Sequence, residues 1–119
     1  MHPGYSIGAV WLHRAPVDFR KQAGGLAAIV EGELRHNLFA PALFVFTNRR
    51  RNSIKVLYWD RNGFCLWQKR LEQDRFAWPA ADATEATCQV SARQLQWLLE
   101  GFDPWHEMAH KVMNYIAIS

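Results

Sequence analysis

The sequence predicts a single α+β domain, with a mainly antiparallel sheet of about four to five strands and two main helices in the order β-α-β-β-β-(β)-α. Three observations predict it. Two strand-like runs, SIKVLYWD (53–60) and FCLWQKRL (64–71), flank Arg61-Asn62-Gly63, and Asn-Gly between such runs is a strong hairpin signal. Apolar residues recur at helical spacing over residues 19–35 and again after Ser91. A continuous aromatic-rich run, ALFVFT (42–47), has the makings of a central strand. The 119-residue chain, half apolar and about a fifth charged, can bury a core without disulfides or a metal. The domain is expected over residues 1–104, with 105–119 as a tail that has room for a third helix.

Taken in order, SIGAVWL (6–12) alternates loosely as a first strand, with Ile7, Ala9 and Trp11 on one face and Pro16 ending it. Asp18 is placed to cap a helix from about 19 to 35, because its carboxylate can accept free amide hydrogens of the first turn. Phe19, Ala23, Leu26, Val30 and Leu34 would form its apolar face. Gly24 and Gly25 cost a helix about 1 kcal/mol each relative to Ala, so they are expected to serve close packing on the sheet. A polar bend, residues 48–52, follows the central strand. After the hairpin, RFAW (75–78) reads as one more short strand halted by Pro79, and residues 80–87 as a surface loop. Ser91 and Gln94 form a capping box for a second helix carrying Leu95, Leu98, Leu99 and Phe102, closed by Gly101 and Pro104.

Charge is concentrated on the hairpin region. Residues 49–75 hold eight basic residues (Arg49, Arg50, Arg51, Lys55, Arg61, Lys69, Arg70, Arg75) against Asp60, Glu72 and Asp74, whereas the whole chain has 14 against 11. With Asn62 and Gly63 at the turn centre, Arg61 would pair with Phe64 and Lys55 would lie opposite Arg70. One face would carry Lys55, Leu57, Trp59 and Arg61 against Phe64, Leu66, Gln68 and Arg70; the other, with Ile54, Val56 and Tyr58, is the better core. Like charges opposite one another destabilise a sheet, and an anionic partner would relieve that cost. Arg49, Arg50, Arg51, Lys55, Arg61 and Arg70 are therefore candidate phosphate contacts, and Trp59 and Phe64 candidate stacking platforms for bases. A solvated face, with Arg and Lys stems covering Trp and Leu, is the bland alternative.

The remaining patterns argue against other classes. The longest run free of strongly polar residues, 38–46, is nine residues and contains Pro41, against roughly 20 for a bilayer span. The N-terminal residues lack a secretory pattern, so a cytoplasmic protein without membrane association is expected. Cys65 and Cys88 are too few for a disulfide framework or a thiolate zinc site. His106-Glu107-Met108-Ala109-His110 matches H-E-x-x-H in letters, but Lys111 to Ser119 supply no His, Asp, Glu or Cys as a third ligand. Asp18, Asp60, Asp74, Asp82 and Asp103 sit naturally as caps or turn residues rather than as a converging metal site. No enzyme, cofactor, metal site or small-molecule substrate is expected.

Asp18-Phe19-Arg20-Lys21 followed by GGLAAIV, SIKVLYWDRNGFCLWQKRLEQDRFAWP (53–79) and SARQLQWLLEGFD (91–103) together resemble the TnpB-type accessory protein of the insertion-sequence-66 transposon family. The similarity covers roughly residues 7–103, and the ordered block 54–79 is its most specific part. The resemblance implies a non-enzymatic helper of transposition, working beside a larger transposase and other transposon proteins. Combined with the charges, it leads to the expectation of nucleic-acid binding, DNA foremost, through the basic and aromatic hairpin. The alternative is an interaction module that docks on the transposase through the aromatic face with arginines at its rim.

Overall fold

A computed structural model describes residues 8–33, 37, 39, 41–80 and 85–105. Five strands, β1 (Ala9–His13), β2 (Ala42–Thr47), β3 (Ser53–Asp60), β4 (Gly63–Arg70) and β5 (Thr87–Val90), form one sheet in the order β4-β3-β2-β1-β5. The sheet is mixed and mostly antiparallel, with β1 and β2 its parallel pair. The α+β class holds. Among the described residues one helix packs on each face: α1 (Ala23–Ala28, continuing as a π-turn over Ile29–Glu33) on one side and α2 (Ala92–Leu99) on the other.

Strand alternation divides the core between those faces. Ala42, Phe44, Phe46 and Leu57 meet Leu26, Ala27 and Val30 of α1. Val10, Leu12, Leu43, Val45, Ile54 and Val56 meet Leu95 and Leu98 of α2. All six residues of β2 are buried, as its unbroken apolar run requires for a strand covered on both sides. The capping box of α2 is formed in both directions: the Gln94 amide donates to Ser91 Oγ (3.0 Å) and the Ser91 amide to Gln94 Oε1 (2.8 Å). At the other end Gly101 takes a left-handed φ of 95°, the Phe102 amide returns to the Trp97 carbonyl, and Lys69 Nζ donates to the Leu99 carbonyl.

Several expectations are corrected. The first helix starts at Ala23, not near residue 19, because the Asp18 carboxylate is taken by Arg20 and Phe19 lies in the loop ahead of it. Gly24 is exposed with nothing near its missing Cβ, and a Cβ on Gly25 would meet the Lys21 side chain, so neither glycine serves packing on the sheet. RFAW is not a strand. Phe76 and Trp78 nevertheless fill the α2 face, with the Trp78 indole donating to the carbonyls of His13 and Arg14. The fifth strand is instead TCQV, which opens at Thr87 and pairs with β1. Trp105, placed in the tail by the sequence, packs on the same core and donates its indole N–H to the Ala77 carbonyl.

The hairpin keeps its predicted faces but slips by two residues. Asp60 pairs with Gly63 and Trp59 with Phe64, so Arg61 and Asn62 form the turn, with Arg61 at a left-handed φ of 55°. Lys55 consequently lies opposite Gln68, and Arg70 opposite Ser53. This register avoids the like-charge pair and sets Trp59 edge-on to Phe64 at 5.0 Å between ring centroids.

Candidate nucleic-acid interface

Because β1 and β2 are parallel and adjacent, the loops that leave their carboxyl ends emerge side by side. Residues 14–22 follow β1 and residues 48–52 follow β2. The Val17 amide donates to the Thr47 carbonyl (2.9 Å), which stitches the first loop to the end of β2. The second loop is held by Asn48: its Oδ1 accepts from the Asn52 and Ser53 amides, its Nδ2 donates to Asn52 Oδ1, and its carbonyl accepts from the Arg51 amide. Arg49 and Arg50 thus occupy the two central positions of a braced turn, both exposed. Between the loops runs a groove of about 460 Å³ lined by Pro16, Val17, Asp18, Phe19, Arg20, Asn48, Arg49 and Arg50.

The predicted contact residues separate into two groups. Arg49, Arg50 and half-buried Arg51 stand at this end of the sheet, Arg51 at a left-handed φ of 60°. Exposed Arg70 joins them, since it pairs with Ser53 at the start of β3 and the next amide, Leu71, donates to the Asn52 carbonyl. Arg75 is brought close because the Phe76 amide donates to the Arg51 carbonyl. Exposed Arg61 and half-buried Trp59 and Phe64 lie at the hairpin tip, the length of β3 away, roughly 23 Å at the usual rise per residue. There Phe39 packs edge-on against Trp59 (4.8 Å) and stacks on Phe64 (6.3 Å), so the aromatic pair does not share a surface with the arginine bend.

Lys55 is a correction. It is 2% exposed and faces α1, and its ammonium donates to the carbonyls of Phe19 and Lys21 at 2.8 Å each while lying 4.9 Å from the Phe19 ring centroid. A phosphate cannot reach it. Its work is to pin the loop that forms one wall of the groove. The residues missed by sequence reasoning are Arg20 and Lys21 of that loop, read as helix because Phe19, Ala23 and Leu26 continue a helical spacing. The signal that was present is Asp18 two residues before Arg20, the spacing at which an Asp side chain closes on a nearby backbone amide instead of entering a helix.

The sequence profile of the family described as IS66 Orf2 like protein matches residues 8–109. The chain belongs to the IS66 Orf2-like family. It is 37% identical over 97 residues to Uncharacterized protein y4hO of Sinorhizobium fredii, covering 82% of this chain and 83% of the relative. Uncharacterized protein y4jC of the same organism is 31% identical over 96 residues, covering 81% and 80%. No solved structure gives a significant match. Membership places this IS66 Orf2-like protein among the accessory proteins of insertion-sequence transposition.

Electrostatically, the groove of the IS66 Orf2-like chain has two unlike halves. At one end, no hydrogen bond or ion pair from the described residues engages the guanidinium of Arg49 or Arg50. At the other, Asp18 takes the Arg20 guanidinium through Nε (3.0 and 3.1 Å) and Nη2 (2.7 Å) and also accepts the Arg20 amide. Those bonds, the side-chain ones foremost, lower the Asp18 carboxyl to a pKa of about 2 and keep it ionised. Burial lowers the Lys55 ammonium, opposed by the nearby Asp18 charge. Among the described residues no three His, Cys, Asp or Glu side chains are grouped to hold a metal, and no helix is long and apolar enough to cross a membrane. The H-E-x-x-H pentapeptide lies outside the described residues.

Proposed function

We propose that this IS66 Orf2-like protein assists transposition by binding nucleic acid through the basic end of its sheet. The observation that carries the reading is the pair Arg49 and Arg50, exposed on a turn braced by Asn48 and unengaged by any described side chain. Arg20 lines the same groove, paired with Asp18, and Arg51, Arg70 and Arg75 stand at the same end of the sheet by the connections described above. A planar guanidinium fork suits phosphate oxygens, and a rigid turn lowers the entropy lost on binding. Arg61 at the hairpin tip is too far away to act on the same phosphates. Binding of this kind is dominated by counterion release and weakens steeply with salt. Fluorescence-anisotropy titrations on duplex DNA, single-stranded DNA and RNA at several salt concentrations test it; no binding to any of the three at low salt would sink it.

A second reading is favoured by a different observation. Phe39, 59% exposed, caps the Trp59–Phe64 pair at the opposite end of β3, and such a cluster suits docking on the transposase or another transposon protein. Co-purification with the transposase in high salt, abolished by Phe39→Ala and accompanied by no affinity for nucleic acid, would favour it.

A further inference from the structure

We propose that the groove between residues 16–20 and 48–50 takes one unpaired nucleotide of a single strand, its phosphate at Arg49 and Arg50 and its base against Phe19. This rests on the nucleic-acid reading above and narrows it to a ligand class. The first reason is size. A groove of about 460 Å³ is in the range of small-ligand pockets, roughly 300–1,000 Å³, whereas a duplex keeps its bases stacked inside and would present only outer phosphates to it.

The second reason is the division of chemistry along the walls. Arg49 and Arg50 offer positive charge that no described side chain engages, which a phosphate wants. The opposite wall offers Pro16 and the outer sides of Val17 and Phe19, whose inner sides pack on the α1-side core, and a bare phosphate backbone has no use for such apolar surface. On that wall the Arg20 charge is already offset by Asp18, and the ionised carboxylate repels a second phosphate. What Arg20 retains, with its side chain 91% exposed, is a flat guanidinium held in a fork, a surface on which a base can stack. The groove therefore prefers an anion at one end and an aromatic ring at the other.

The third reason is preorganisation. The Lys55 ammonium beneath the loop holds the Phe19 and Lys21 carbonyls and lies over the Phe19 ring, so the wall is set before a ligand arrives. Bases stack on aromatic side chains with little regard to sequence, so the site is expected to be sequence-tolerant.

The test compares a labelled 12-mer as single-stranded DNA, as single-stranded RNA and as DNA duplex, by anisotropy at one low salt concentration, for the full chain and for Phe19→Leu, Phe19→Tyr and Arg49→Ala/Arg50→Ala, with folding checked by circular dichroism. At least one single strand is expected to bind at least about tenfold tighter than duplex. Phe19→Leu should weaken that single strand at least about fivefold and leave duplex affinity unchanged, Phe19→Tyr should restore it, and the arginine variant should weaken both forms. Equal affinity for single strand and duplex, or a Phe19→Leu loss shared by both forms or not reversed by Phe19→Tyr, would overturn the nucleotide groove. An arginine effect would in those cases still uphold the broader reading. No binding to any nucleic acid would remove both.

Discussion

The ammonium of Lys55 sits 2.8 Å from the carbonyl oxygen of Phe19, joining the middle of β3 to a loop 36 residues earlier in the chain. A second bond of the same length reaches the Lys21 carbonyl. A buried ammonium is costly, and here its cost is offset by two acceptors and an aromatic ring. The lysine is thus a structural clasp for the groove wall rather than a member of the binding surface.

Replacing it should show as lost stability. Lys55→Met keeps an unbranched side chain but leaves two carbonyls without their donor, for an expected loss of about 1–3 kcal/mol. Removing the desolvated charge offsets part of this, so the lower half of the range is the better expectation. Urea denaturation followed by tryptophan fluorescence measures it, and an unchanged midpoint would contradict the clasp.

Asp18 supplies a pH signature. Its folded pKa of about 2 lies below the ordinary 3.8, chiefly through the Arg20 side-chain bonds and then the Arg20 amide. A depressed carboxyl contributes stability that is complete above its unfolded value and is lost as pH falls toward the folded one, here between about 4 and about 2. Carboxyl carbon shifts in a pH titration should place the Asp18 midpoint near the lower figure. In Arg20→Ala the midpoint should move back up toward the ordinary value.

The exposed arginines should matter to binding and not to folding. Arg49→Ala/Arg50→Ala removes two phosphate contacts, so the log–log salt slope should become shallower by roughly 1.4–1.8, at 0.7–0.9 per contact for single and double strands. Its unfolding free energy should stay within about 0.5 kcal/mol of the parent chain, as for other exposed surface positions. A normal slope with reduced stability would mean that the two side chains serve the turn instead.

At the hairpin tip, Arg61 holds a left-handed φ of 55°. Arg61→Gly relieves a conformation costing an ordinary residue about 1–2 kcal/mol, while adding roughly 0.5–1 kcal/mol of unfolded-chain entropy. A net gain of up to about 1.5 kcal/mol is expected by thermal unfolding, with nucleic-acid affinity unchanged. A loss of affinity would return the hairpin tip to the binding surface.

Much of this architecture could be read from local pattern. The face memberships of the hairpin, the Ser91–Gln94 box and the closing Gly101 depend on neighbours in sequence, and all appear in the structure. The features that escaped depend on distant partners. Four-residue β5 is too short to show a strand period of its own, and it exists because β1 leaves an edge free for antiparallel pairing. RFAW looks like a strand because Phe76 and Trp78 are core residues, yet their burial comes from filling the core on the α2 side of the sheet rather than from a ladder. Lys55 looked exposed because it alternates with Ile54 and Val56. The counter-signal was that Leu57 and Trp59 continue the Lys55 face, the mark of a strand covered on both sides. The groove itself required the parallel β1–β2 pairing, which brings residues 16–20 beside 48–50, and no local pattern announces such a pairing.

The most direct test of where nucleic acid binds is a titration of the isotope-labelled protein with a short oligonucleotide, followed by backbone amide shifts. Binding at the basic end predicts that the largest changes fall on residues 17–20 and 48–51, with the amides of residues 59–64 at the hairpin tip unmoved. Changes centred on Trp59, Arg61 and Phe64, with the two loops silent, would contradict it.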